Sequence, residues 1–217
     1  MAEMYFDIEV AFLSNDSAES LRKGLKINPT PKNSKIITIQ YQILDENGNA
    51  KTPLRIFKEW ESSEEAIIRK VRSILNPRTK WEFVPVGHNI YFDLGMFKER
   101  AKLYGHAFDD WQLYHDMPAI DLKHICLALN GFVFRDSGLD KFTAKETSGY
   151  SIPIWYAEQK FDQIIDYVMK EAKEFVEFYS KLKTIMPDVR KQHGLYNRFL
   201  NQSEKIQNPS SPSGSGV

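Results

Sequence analysis

The sequence predicts an α/β domain built on a mixed sheet. Three observations carry that expectation. The opening segment is aromatic and β-branched. A second strand leads directly into a hairpin turn. A long segment near residues 158–183 has apolar residues at helical spacing. Strands come first, helices and strands then alternate, and a long helix follows. That order describes helices packed on a sheet of mixed polarity.

Met4-Tyr5-Phe6-Asp7-Ile8-Glu9-Val10-Ala11-Phe12 has the residue types of a buried strand. Residues 14–34 are polar, contain Gly24, Pro29 and Pro31, and read as a long loop. Lys35 to Leu44 is the second strand. Asn47-Gly48 then signals a hairpin, with a third strand near Leu54 to Trp60. Ser62-Ser63-Glu64-Glu65 marks a helix start that runs to Leu75 and stops at Asn76-Pro77. Phe83 to Val86 is a short strand. The turn Gly87-His88-Asn89 leads into a helix from about Phe92 to Tyr104. Pro118 to Leu122 is a further short strand, followed by a helix over His124 to Leu129 and a smaller one near Leu139 to Lys145. The last helix, about Glu158 to Lys183, carries Ile164, Ile165, Val168, Ala172, Phe175, Val176 and Tyr179 at helical spacing. Residues 1–192 are expected to form one domain. Residues 193–217 form an extension in which Pro, Ser and Gly dominate from about 208, a composition that favours disorder.

The bulk composition narrows the function classes. At 42% hydrophobic residues the chain can bury a core. Lys+Arg and Asp+Glu both count 29, which argues against a histone-like or coating protein. A nucleic-acid ligand would need a local basic surface. Cys126 is the one cysteine, so no internal disulfide forms, and its apolar neighbours suggest an inert buried thiol. No run approaches the roughly 20 apolar residues of a membrane span, and no signal pattern opens the chain. The expectation is a cytoplasmic protein without membrane contact.

The acidic residues carry the chemistry. Asp7 and Glu9 stand at i and i+2 on an apolar strand, so both leave the same face. Two such charges are costly to bury without a cation; a solvated strand edge is the competing reading. Asp93 falls in the first turn of the helix after Gly87-His88-Asn89, where an acid can serve as a cap or as a ligand. Tyr167 and Glu171 share one helix face at i and i+4, which alone describes an ordinary amphipathic helix.

Taken together, these segments resemble the DEDD (DnaQ-like, RNase H-like) 3′–5′ exonucleases. The DEDDy branch, related to family B DNA polymerases and small stand-alone archaeal enzymes, is the most similar. Phe6-Asp7-Ile8-Glu9 resembles the D-x-E motif, Asn89 to Asp93 the N-x-x-x-D motif, and Tyr167 to Glu171 the Y-x-x-x-D motif with Glu in place of Asp. Ala119-Ile120-Asp121-Leu122 and Ser137 to Phe142 resemble the segments between them, and the likeness covers about residues 4–180. Glu171 is a departure: its extra methylene moves the carboxylate by about one bond, and metal geometry is sensitive to that.

The resemblance implies two-metal phosphodiester hydrolysis at the 3′ end of single-stranded DNA or RNA. The metal would be Mg²⁺ or Mn²⁺, held by Asp7, Glu9, Asp93 and Glu171, because oxygen donors suit hard cations. Tyr167 would orient the attacking water, since a phenol with a pKa of about 10 is a poor base at neutral pH. Asn89 would hold the terminal nucleotide. Tyr91, Phe12 and Trp155 are candidates to stack bases, and Lys23, Lys26, Lys32 and Lys35 to meet phosphates. His88 reads as a turn residue. Two alternatives stand beside this one: a degenerate nucleic-acid-binding or regulatory module, suggested by Glu171, and a structural α/β protein with incidental surface acids. Homo-oligomerisation is open. Gln192, Leu195 and Phe199 partly match a sliding-clamp-binding box, with Arg198 where the first aromatic belongs.

Overall fold

A computed structural model describes residues 2–75, 83–109, 112–143 and 149–192. The five strands are β1 (Ala2–Phe12), β2 (Ser34–Leu44), β3 (Arg55–Lys58), β4 (Phe83–Gly87) and β5 (Ile120–Asp121). They form one sheet in the order β3-β2-β1-β4-β5. β1 pairs antiparallel with β2 and parallel with β4, so the sheet is mixed, as expected. The helices are α1 (Asn15–Arg22), α2 (Glu64–Leu75), α3 (Ile90–Leu103), α4 (Leu122–Leu129), α5 (Ile152–Ala157) and α6 (Phe161–Gln192).

The period-2 pattern of β1 serves two cores. Met4, Phe6, Ile8 and Val10 pack with Ile67, Ile68 and Val71 of α2 and Ile90, Leu94 and Phe97 of α3. Tyr5 faces the other way, against Ala172, Phe175 and Tyr179 of α6, and its ring lies 4.7 Å from that of Phe175. Each buried aliphatic or aromatic side chain contributes roughly 1.5–3 kcal/mol. A bulge between Glu9 and Val10 leaves Ile37 of β2 without a partner on β1; Ile36 packs in the α2–α3 core and Ile37 in a third cluster with Ala11, Ile152 and Ile164.

Three segments differ from expectation. Residues 14–34 contain α1, whose N-cap Ser14 accepts a hydrogen bond from the Asp16 amide through Oγ. A short helix, α5, with Pro153 in its first turn, precedes α6. The small helix near 139 is a single 3₁₀ turn, Leu139–Lys141. Residues 193–217, with most of the clamp-box resemblance, lie outside the described residues. Among the described residues, no helix is long and apolar enough to cross a membrane.

The early end of β4 sets the entry into α3. Its pairing with β1 stops at Tyr5 and Val86, and β1 runs on beyond it. At Gly87 a Cβ would meet the Phe6 carbonyl oxygen at 2.9 Å and Ile90 Cδ1 at 2.7 Å, so only glycine lets the chain turn this close to β1. Asn89 then takes the left-handed conformation (φ 62°, ψ 37°) and starts α3.

Candidate active site

The overhanging end of β1 collects the acidic residues. Asp7 and Glu9 leave the face opposite Phe6 and Ile8. Glu171, on α6, meets them there: each of the three offers a carboxylate oxygen, all within 4.8 Å of one another. The longer Glu171 side chain therefore reaches the strand pair. Asp93 comes from the first turn of α3 and is 4% exposed. Its Oδ1 accepts the Ile8 amide at 3.2 Å, an N–H that β4 is too short to pair. Asp93 thus completes the backbone bonding of β1 beside the cluster.

The electrostatics follow from crowding. Burial, then the charge of Asp7, pushes the Asp93 carboxyl well above the usual range; Glu171 adds to this, and the amide bond from Ile8 opposes it. Burial, then Glu9 and Glu171, holds the Tyr167 phenol far above its ordinary range. Tyr167 is hydrogen-bonded to Glu171. Tyr5 is raised by burial and then by Asp7.

Several partners were not read from the sequence. Gln40 Nε2 donates to Asp7 Oδ2 at 2.6 Å, and the Tyr5 hydroxyl donates to the same oxygen at 3.3 Å. Gln40 is directly opposite Asp7 in the β1–β2 register and is fully buried. A polar residue between Ile39 and Tyr41 was the signal available for it. Asp121 Oδ1 accepts the amides of Asn89 (2.8 Å) and Lys123 (2.9 Å), and Lys123 Nζ donates to Asn89 Oδ1 at 2.9 Å.

A cleft of ≈ 470 Å³ opens over this centre. Asp7, Glu9, Asp93, Tyr167 and Glu171 line it, with Asn89, Phe12, Phe92, His88 and Lys123. Tyr91 and Trp155 are not in the lining. Tyr91 is 43% exposed beside Tyr114 and His124. Trp155 packs edge-on to Tyr167 at 6.3 Å, behind the site. His88 Nε2 lies 3.4 Å from the Ser137 carbonyl oxygen. Lys35 is tied to Glu59 at 2.8 Å, away from the cleft. Cys126 is buried, and burial pushes its thiol up to about 11.

The oxygen-only cluster fits a hard divalent cation, and no Cys or His joins it among the described residues. Three converging carboxylates, with Asp93 lining the same cleft and held back from ionising, suit a site that a cation would neutralise.

No protein-family model matches the chain, and no curated protein matches it. Solved structures do. The family B DNA polymerase of Pyrobaculum calidifontis aligns at a TM-score of 0.52 and 14% identity, over 86% of this chain and 25% of the polymerase. E. coli exonuclease I in complex with a dT13 oligonucleotide aligns at 0.48 and 14% identity, over 77% of this chain and 43% of that one. Exonuclease I in complex with the inhibitor BCBP aligns at 0.45 and 14%, over 71% and 39%. This chain thus spans less than half the length of each. The mixed five-stranded sheet with helices on both faces is the RNase H-like fold.

Proposed function

We propose that this chain is a metal-dependent 3′–5′ exonuclease of the DEDDy type, acting on single-stranded DNA or RNA. The observation that carries the reading is the meeting of Asp7, Glu9 and Glu171 within 4.8 Å at the overhang of β1. Asp93, buried beside them, completes the set. Asp7, Glu9, Glu171 and Asp93 would hold Mg²⁺ or Mn²⁺. Such ions, when bound, supply an activated water and neutralise charge on the leaving oxygen.

The chain's own groups do the rest. Gln40 and Tyr5 fix the Asp7 carboxylate by donating to Oδ2. Tyr167 stays protonated, so it orients a water molecule and does not take its proton. Asn89 holds the terminal nucleotide at the cleft edge. Phe12 and Phe92 offer apolar walls to a base and its sugar. The reach of Glu171 favours a competent site over a degenerate one.

The test is cleavage of 5′-labelled single-stranded DNA and RNA with Mg²⁺ or Mn²⁺. A ladder shortening from the 3′ end, with release of mononucleotides and dependence on the ion, is expected. Intact strands of both kinds under both ions, with folded protein, would sink the reading and leave a nucleic-acid-binding module.

A further inference from the structure

A cleft lined by four carboxylates must admit a polyanion if the exonuclease reading is right. Among the described residues lining it there is one lysine and no arginine: Lys123. Phosphate affinity rests on such cations. Lys123 has no ion-pair partner among the described residues; the hydrogen bond its ammonium makes is to a neutral amide, Asn89 Oδ1, at 2.9 Å. Its positive charge is therefore not spent inside the protein.

The backbone beneath this contact is fixed. One oxygen, Asp121 Oδ1, accepts the amides of both Asn89 and Lys123. It caps α4 and holds the left-handed turn at Asn89 with the same atom. Asn89 and Lys123 are thus locked to each other through Asp121. Because Asn89 Oδ1 is engaged by Lys123, the Nδ2 group of its side chain, with two N–H donors, is what remains to meet a ligand.

We propose that Lys123 is a strand-binding and positioning residue: its ammonium contacts a backbone phosphate of the bound single strand, and it holds the Asn89 amide as a hydrogen-bond donor to that strand. The inference rests on the exonuclease reading and extends it to a residue outside the three acidic motifs. A lysine already held by its neighbours loses little side-chain freedom on binding.

Two substitutions separate the roles. Lys123→Gln removes the charge and keeps a donor for Asn89; Lys123→Met removes both and keeps the stem. Binding is followed by the anisotropy of a 5′-fluorescein dT oligonucleotide, in Ca²⁺, over a salt series. Lys123→Gln should weaken binding roughly three- to tenfold near 0.15 M salt and flatten the plot of log K against log salt by about 0.7. Lys123→Met should add a fall in kcat, measured in Mn²⁺, that Lys123→Gln lacks. A merely structural lysine would lower the melting temperature and leave the salt slope alone. If the wild type binds and cuts, and Lys123→Gln keeps the wild-type slope, the Lys123 assignment is wrong and the exonuclease reading stands. If the wild type neither binds nor cuts, both fall together.

Discussion

Two charged clusters sit on opposite faces of the same sheet, and they are built on opposite rules. On the α2–α3 face, Glu64 is buried and accepts from Arg100 Nε (2.8 Å), the Tyr104 hydroxyl (2.7 Å) and the Ile36 amide (2.7 Å). Arg100 spends a further N–H on the Pro31 carbonyl oxygen. One negative charge meets one positive charge, and the hydrogen bonds join α2, α3, β2 and the 23–33 connection. On the α6 face, Asp7, Glu9 and Glu171 bring like charges within 4.8 Å. Buried charge that balances within the chain holds elements together. Like charges gathered at a half-buried site are costly to the chain alone, and a cation from outside would relieve them.

That contrast is tested first at Glu64. Glu64→Ala leaves Arg100 buried without its anion and should cost about 3–5 kcal/mol of stability. Denaturant unfolding reads this, and activity per folded molecule should hold. A loss under ~1 kcal/mol would mean the pair does not hold the α2–α3 face. Next come Asp7→Asn and Asp93→Asn, each expected to lower cleavage by about 10²–10³-fold, the scale of a lost electrostatic contact to the reacting group. Circular dichroism should be unchanged. Near wild-type rates in either purified variant would contradict the ligand assignment.

Glu171 is graded more finely. Glu171→Ala should cost on the order of tenfold or more in kcat, while Glu171→Asp holds or improves the rate. If the alanine variant is harmless and Asp166→Ala is not, the third motif lies elsewhere on α6. The smallest effect concerns stability without metal. The folded state holds the Asp93 proton more tightly than the unfolded chain does. The stability from that proton is present below the ordinary carboxylate range and lost as pH rises through the raised value. Asp93→Asn, which keeps an oxygen for the Ile8 amide, should therefore raise metal-free stability at pH 8 and not at pH 4, read by denaturant unfolding. A drop at pH 8 would show that burial and the neighbouring charges do not penalise the Asp93 carboxylate.

The parts of this molecule that were legible in the sequence are those where one residue pattern has one structural outcome. The apolar alternation of β1, the Asn47-Gly48 turn and the stripe along α6 are of this kind. The meeting of the acidic motifs was expected only from their resemblance to the exonuclease motifs, because strand parity and helix phase fix the face each acid leaves and not where the elements meet. What stayed hidden depends on distant chain. α1 is short and polar, and only Ala18 on it is buried. Gln40 acquires its role from the register with β1, and Lys123 from the turn at Asn89. Tyr91 and Trp155 carry the right chemistry for stacking, but only tertiary packing decides that they point away from the cleft.

The union of β1 with α6 has a temporal side. Lys183 and Glu3, 180 positions apart, are joined at 2.7 Å, and Glu171 completes a centre begun by Asp7 and Glu9. During synthesis the strand leaves the ribosome long before the helix does, and contacts of such separation form late. On the exonuclease reading, a nascent chain surrounded by RNA carries half a site and cannot cut. On that reading the site is complete only when α6 docks, and any later loosening of that helix would disarm it while the sheet remains intact.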